Sequence, residues 1–382
     1  MNMKRRALLQ YASLSPLLFS TDLFAHAKRA PVLLLVELNG GNDSLNSFIP
    51  LDYIEQYHQL RPELGLQDED MLQLDQQFAM HPSLQPLHEC WRTGELALIH
   101  GLGYANPNRS HFRAIDIWDT ASDSDQYLDD GWLSSIISDR GAAEVKSIVF
   151  GRNARAFYGQ NSRFIQLKTV KQFLNHAADI ESVDAAVDNP ALRLLLNTQN
   201  SVKGADSLLR RQLKGAGSLA RFFPDNKFGK QLADITSLIR SDLGVPVYKI
   251  ALSGFDTHKS QSGKHAQLLK QLAQGLEAFK GQLESSGHWS DVLVMTYSEF
   301  GRRAAQNGSG GTDHGTAATH MVMGGRVRGG HYGEHPDLTQ LEKNDMRFTT
   351  DFRRMYQTVI SDWWQNDKLL GKGYQTLGFI KS

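Results

Sequence analysis

The 382-residue sequence contains a single cysteine, Cys90. One cysteine excludes an intramolecular disulfide framework and a cysteine-based zinc knuckle, and we interpret Cys90 as a buried packing residue. The sequence also lacks a charge excess, because 41 lysine and arginine residues balance 41 aspartate and glutamate residues. A balanced chain gives no reason to expect a nucleic-acid partner. The sequence contains no internal repeat, coiled-coil heptad run or low-complexity tract.

The amino terminus has the features of an export signal. Basic residues precede a moderately apolar stretch, and residues 25–27 (AHA) form a small-residue cleavage site. The pair Arg5-Arg6 is similar to a twin-arginine signal, and paired arginines also occur in ordinary signal peptides. We therefore expect residues 1–27 to be a signal peptide, with the twin-arginine (Tat) export machinery as a partner.

The chain that follows residue 27 has no long hydrophobic run. A helix that crosses a bilayer needs about 20 consecutive apolar residues. We therefore expect no membrane anchor in the mature chain, and a protein that is periplasmic or secreted.

Short apolar runs recur along the chain and predict strands. Residues 31–38 (PVLLLVEL) are almost continuously apolar, which is typical of a strand covered on both faces in a parallel sheet. Similar runs occur at residues 96–100, 147–151, 247–252, 292–296 and 321–323. Segments with helical spacing lie between them. We predict an α/β fold over residues 28–382: a single domain with a mixed, mostly parallel central sheet sandwiched between helices, and a helical region around residues 152–240.

Acidic and imidazole side chains follow several of these runs. Open α/β sheets build their sites at the carboxyl ends of the strands, so such side chains are candidate ligands. Glycines 308, 310 and 311 exclude a helix in the last of these segments and indicate ligands on a loop. The candidate metal ligands are Asp43, Asp256, His258, Glu299, Asp313 and His314.

Each candidate also has a simpler explanation. Asp43 belongs to an Asn-Gly-Gly-Asn-Asp turn, Asp256 could cap a turn, and His258 could be exposed. The recurrence of the pattern at successive strand ends favours metal binding. Carboxylates and imidazoles without thiols suit zinc, manganese, iron or magnesium. We expect a divalent metal cofactor, zinc first among the candidates. One ion would suffice, and two ions about 3.5–4 Å apart would explain the surplus of ligands.

Ser110 lies at the predicted start of a helix, after the run at residues 96–100. Serine is a preferred N-cap residue, and a hydroxyl at a helix start is also a candidate nucleophile because the helix dipole stabilises negative charge there. Arg109 and His111 flank it, and with Asn42 they are candidate substrate-binding residues, although His111 could equally be a loop histidine without a role. We add Arg302 to Ser110 as a candidate catalytic residue that would hold substrate oxygens.

These segments together resemble a bacterial family known as domain of unknown function 1501. The segments that carry the resemblance are residues 40–46 (GGNDSLN), 109–112 (RSHF), 255–258 (FDTH), 292–302 (VLVMTYSEFGR) and 311–315 (GTDHG). That family is similar to the alkaline phosphatase and sulfatase superfamily, which implies an alkaline phosphatase-like fold. The resemblance implies a nucleophile at Ser110. It implies metal ligands at Asp43, Asp256, His258, Glu299 and His314.

Two features of this chain differ from the superfamily pattern. Asp256-Thr257-His258 stands where the superfamily usually has aspartate and histidine separated by three residues. Glu299-Phe300 stands where it usually has aspartate followed by histidine or asparagine, so one ligand is lost unless Asp313 replaces it.

We predict an exported metal-dependent hydrolase that acts on phosphate or sulfate esters, either small molecules or components of the cell envelope. The alternative is a non-catalytic periplasmic binding or assembly protein that keeps the phosphatase-like fold. Carbohydrate hydrolysis by two carboxylates ranks last, because it leaves the histidines unexplained.

Overall fold

The structure is a computed structural model that describes residues 29–381, apart from residues 139, 142–144, 161, 182, 184–187, 215 and 216. The predicted signal peptide, residues 1–27, lies outside the described residues. Among the described residues, no helix combines the length and apolarity that a membrane span requires.

Strands and helices alternate along much of the chain. The strands are β1 (Val32–Asn39), β2 (Phe48–Pro50), β3 (Leu72–Gln73), β4 (Phe78–Met80), β5 (Leu96–Gly103), β6 (Ser147–Phe150), β7 (Phe164–Leu167), β8 (Val247–Ser253), β9 (Val292–Tyr297), β10 (Ala318–Met323), β11 (Gly330–Tyr332) and β12 (Thr350–Asp351). The α-helices are α1 (Ser44–Ser47), α2 (Ile54–Leu60), α3 (His88–Arg92), α4 (His111–Thr120), α5 (Ser134–Ile137), α6 (Val170–Ala178), α7 (Pro190–Leu213), α8 (Lys227–Arg240), α9 (Gln261–Glu284) and α10 (Arg353–Thr358).

One large sheet organises the molecule. Its strands follow the order β11-β5-β10-β9-β1-β8-β6-β7, and β12 also pairs with β5. Strands β9, β1, β8, β6 and β7 are mutually parallel, whereas β10 is antiparallel to both of its neighbours. A small antiparallel sheet, β2-β4-β3, lies beside it. The predicted fold class, a mixed and mostly parallel sheet, is confirmed. The single-domain boundary stays a prediction.

Helices cover both faces of the sheet, which explains the continuous apolar character of β1. Alternate residues of β1 join two different cores: Leu34 and Val36 pack with α8 and α9, whereas Leu33 and Leu35 pack with α4 and α10. The buried leucines of α9 lie along one face of the helix and pack in the core that contains Leu34 and Val36. Each buried leucine contributes about 2 kcal/mol of hydrophobic stabilisation.

The carboxyl ends of β1, β8 and β9 meet at one rim of the sheet, because these adjacent strands run in the same direction. The loop after β1 passes very close to the loop after β8. Gly40 has a φ of 119°, and a Cβ atom at this position would clash with the main chain of Asp256. This close approach brings the polar loops of the rim together.

Candidate functional site

Asp256, in the loop after β8, is the centre of a cluster of histidines at this rim. Its Oδ1 atom lies 3.1 Å from His258 Nε2 and 3.2 Å from His314 Nε2. Its Oδ2 atom lies 3.5 Å from His111 Nε2. Ligand atoms of His111, Asp256 and His314 all lie within 4.8 Å of one another, and this is the one group of its kind in the described part of the chain.

The partners of two histidines show that Nδ1 donates a hydrogen bond in each ring. His314 Nδ1 lies 2.8 Å from the main-chain oxygen of Arg109, which only accepts, so Nδ1 donates. His111 Nδ1 lies 2.8 Å from Oε1 of Glu299, whose carboxylate also accepts from a main-chain N–H. The Nε2 atoms of both rings lie on the side that faces Asp256. Metal-binding histidines have this arrangement, because the second ring nitrogen donates to an oxygen that orients the ring.

His258 lies beside this group. Its Nδ1 is 3.2 Å from Asp313 Oδ1, and its Nε2 is 3.0 Å from His314 Nε2. A side-chain amide of Asn307 holds Asp313 at 3.1 Å and the carbonyl of His258 at 2.9 Å. Asp313 therefore orients the His258 ring from the solvent side.

Charge in the cluster follows from its surroundings. Partial burial tends to raise the pKa of Asp256, but the hydrogen bond from Arg302 and the positive charge of its guanidinium outweigh it and lower the pKa to about 2. Burial lowers the pKa of His314, whereas the hydrogen bond with Glu299 raises the pKa of His111. Near neutral pH the site thus presents an ionised carboxylate and a neutral His314. A cation would find an anionic oxygen and the Nε2 lone pair of neutral His314 there.

The donor set fits a divalent metal. Imidazole and carboxylate ligands are those of catalytic zinc sites, in which three protein ligands leave one position open. His111, Asp256 and His314 supply such a set, and Glu299 and the Arg109 carbonyl supply the outer hydrogen bonds.

Glu299 is placed behind the cluster. It is 1% exposed, and its two oxygens lie 2.9 and 3.1 Å from the main-chain nitrogen of Gly40. The hydroxyl of Ser298 lies 3.1 Å from Oε2. The sequence suggested a direct ligand, whereas the structure places Glu299 as the acceptor that orients His111.

Arg302 is also placed behind the cluster. Its side chain is fully buried and donates to Asp256 Oδ1 at 2.7 Å. It also donates to the main-chain carbonyls of Gly40, Gly41, Phe255 and Thr312. With these partners Arg302 ties the rim loops together and fixes Asp256, and its burial leaves it away from solvent, whereas the sequence suggested a residue that holds substrate oxygens.

Asp43 and Asn42 lie outside the cluster. Asp43 caps α1, pairs with Arg61 at 2.6 Å and accepts from Gln261. The side chain of Asn42 contacts His265 Nε2 at 3.0 Å. Both residues are about as buried as the core. The structure therefore gives Asp43 a buried ion pair in place of the expected metal contact, and it places Asn42 in the interior beside His265, whereas the sequence suggested a substrate-binding residue.

Ser110 and Arg109 lie at the open side of the cluster, immediately before His111. Ser110 is exposed at the N-cap position of α4, and its side chain makes no capping hydrogen bond. The Arg109 guanidinium is 37% exposed and donates to Asp345 at 2.8 Å. Asp345 is buried and had no sequence signal, because it lies in an ordinary polar segment far from any predicted strand end.

Phe300 is a second residue of the site that the sequence pattern did not indicate. Its ring centroid lies 4.3 Å from that of His314 and 4.9 Å from that of His111. Phe300 thus forms an apolar wall against two histidines.

Comparison with protein families gives a match that covers part of this site. Residues 224–363 match the family described as protein of unknown function (DUF1501). This match confirms the resemblance found in the sequence. The DUF1501 segment contains Asp256, His258, Glu299 and His314, whereas His111 lies outside it.

Comparison with curated proteins gives no significant match. Among solved structures, the chain is similar to the zinc complex of the C-terminal periplasmic domain of EcEptC from Escherichia coli, at 8% identity and a TM-score of 0.40 over 78% of this chain and 73% of that chain. It is also similar to an alkaline phosphatase superfamily protein from Vibrio parahaemolyticus, at 10% identity and a TM-score of 0.39 over 81% and 63% of the two chains. A third similar structure is the lipoteichoic acid synthase LtaP from Listeria monocytogenes, at 12% identity and a TM-score of 0.35 over 85% and 75%.

Proposed function

We propose that this chain is an exported hydrolase of phosphate or sulfate esters that holds one divalent ion, zinc, through His111, Asp256 and His314. The observation that carries the proposal is the orientation of the rings: two imidazoles have their Nδ1 atoms engaged by oxygens and turn their Nε2 atoms to one ionised carboxylate. The ion would act as a Lewis acid that stabilises negative charge on the ester group.

The residues at the open side supply the remaining chemistry. The Ser110 hydroxyl attacks phosphorus or sulfur, and the bond to the leaving alkoxide breaks as the new bond forms. His258, oriented by Asp313, accepts the serine proton and returns it to the alkoxide, in the manner of a histidine held by a carboxylate. Water then cleaves the serine ester. The Arg109 guanidinium, anchored by Asp345, is available to a non-bridging oxygen of the substrate.

The second candidate is a metal-dependent binding protein without turnover. Two observations favour it: Ser110 has no hydrogen-bonded base within the described residues, and Phe300 occupies the position of a superfamily ligand. Both candidates share the metal site and differ only in the use of Ser110.

Metal content and hydrolysis test the proposal together. Purified protein should contain about one zinc per chain by elemental analysis, and His314→Ala should lose it. His258→Gln should keep the metal and lose turnover of para-nitrophenyl phosphate or sulfate. His58→Ala, which removes an exposed histidine paired with Asp68, is the matched control and should change neither. Absence of bound metal, with stability unchanged by chelator, would contradict the metal site.

Turnover separates the two candidates. Loss of hydrolysis in Ser110→Ala with full metal content supports the hydrolase. A zinc-loaded wild-type protein without activity on either ester supports the binding protein. Export is tested by cell fractionation, in which an Arg5→Lys, Arg6→Lys variant should remain in the cytoplasm if the twin-arginine route is used.

A further inference from the structure

A pocket lies along the same side of the sheet as the histidine cluster around Asp256, at the ends of two neighbouring strands. It has a volume of about 470 Å³ and opens at the carboxyl ends of β6 and β7. Side chains from the loop after β6, from β7 and from α6 line it. The principal ones are Arg152, Gln166, Lys168, Gln172, Phe173 and His176.

The charge of this pocket has one sign. Arg152, Lys168 and His176 contribute basic groups, and none of the residues that line the pocket is acidic. All three basic side chains are exposed, and within the described residues none has a hydrogen-bond or ion-pair partner. A concave surface lined by unpaired charges of one sign concentrates anions of the opposite sign.

The strand order fixes the position of this pocket relative to the metal cluster. Parallel strands β1, β8, β6 and β7 lie side by side, and Asp256 follows β8. Neighbouring strands are about 4.8 Å apart, so β7 lies roughly 10 Å across the sheet from β8, and β8 continues three residues beyond the level at which β6 and β7 end. One elongated molecule can therefore reach both places.

We infer that this pocket is a subsite for a second phosphate or sulfate group of the substrate whose ester bond lies at the metal cluster. The inference rests on the proposed function and deepens it: the substrate class becomes an extended chain that carries repeated anionic ester groups. The side-chain amides of Gln166 and Gln172 supply hydrogen-bond donors beside the basic groups, and Phe173 supplies an apolar wall.

Binding tests the subsite independently of turnover. The zinc-loaded protein is titrated calorimetrically with two probes, a short inorganic polyphosphate and a sulfated oligosaccharide of similar length. An Arg152→Ala, Lys168→Ala variant should bind the preferred probe about tenfold more weakly, because two exposed ion pairs are lost. Lys171→Ala is the matched control, since Lys171 is an exposed lysine on α6 near the pocket and does not line it. The probe that binds more tightly identifies the anionic group.

Kinetics provides the second readout. The double variant should lose the kcat/KM advantage of a multiply charged ester over para-nitrophenyl phosphate or sulfate, with kcat/KM for the short ester unchanged. Equal probe binding by wild type, double variant and Lys171→Ala would overturn the subsite even if the protein hydrolyses esters. Binding that depends on Arg152 and Lys168 in a protein without turnover would support the subsite and reject the hydrolase.

Discussion

Replacing Glu299 with glutamine distinguishes a direct metal ligand from a residue that orients one. The carboxylate of Glu299 accepts three hydrogen bonds, from His111 Nδ1 at 2.8 Å, from the main-chain nitrogen of Gly40 and from the hydroxyl of Ser298. Glutamine keeps the shape and one oxygen acceptor, so His111 stays in place. The substitution removes the negative charge that makes the His111 imidazole a better donor to a cation.

The expected effect is a partial loss of zinc affinity. Removal of an outer hydrogen-bond partner of a metal-binding histidine typically weakens binding about 10–100-fold, which corresponds to about 1.4–2.7 kcal/mol. Asp256→Asn changes a direct contact with the ion and should reduce affinity much further. The ranking of the two variants, rather than either value alone, tests the geometry.

Competition with a chromophoric zinc chelator at neutral pH measures both affinities, and circular dichroism verifies that the variants fold. A loss for Glu299→Gln as large as that for Asp256→Asn would place Glu299 among the ligands, as the sequence suggested. Unchanged affinity would show that Glu299 does not act on the ion through His111. Either result would refute the arrangement derived from the structure.

Two further predictions concern stability. Burial lowers the pKa of His320 from 6.5 to about 3, and neither ring nitrogen has a partner among the described residues. The unfolded chain therefore binds a proton at His320 more readily than the folded chain does. The free energy of unfolding is highest above pH 6.5 and falls as the pH drops below that value. Between pH 6.5 and pH 4, His320→Leu should reduce the decrease in the free energy of unfolding by roughly 3 kcal/mol, as measured by urea titration at each pH. The same pH dependence of stability in wild type and variant would contradict this. Arg61→Ala leaves Asp43 buried without its partner and should cost about 3–5 kcal/mol by urea unfolding. Arg92→Ala, whose partner Glu89 is exposed, is the control; equal midpoints for the two variants would reject a buried ion pair.

The main strands were predictable because burial on both faces leaves a simple pattern. Residues 31–38 and 292–296 are almost continuously apolar; the first run overlaps β1 and the second lies within β9. Such a run indicates a strand with helices on each side. The antiparallel direction of β10 was not predictable, because apolar content carries no information about the direction of pairing.

The candidate site was only partly predictable. Asp256 and Asp43 look alike in the sequence, since each follows an apolar run and lies in a glycine-containing loop. In the fold, Asp256 turns to three imidazoles, whereas Asp43 turns inward to Arg61. The direction of a loop side chain depends on its packing partners, and those partners are distant in sequence.

The sequence alone determined that strands covered on both faces end in acidic and imidazole residues, because hydrophobic burial and strand length are local properties. Tertiary structure alone decided which of those residues meet. The contact between His111 and Glu299 joins positions 188 residues apart, and it exists because α4 and β9 reach the same rim. Hydrogen bonds to Nδ1, visible only after folding, determine which nitrogen lone pairs are free to bind a cation.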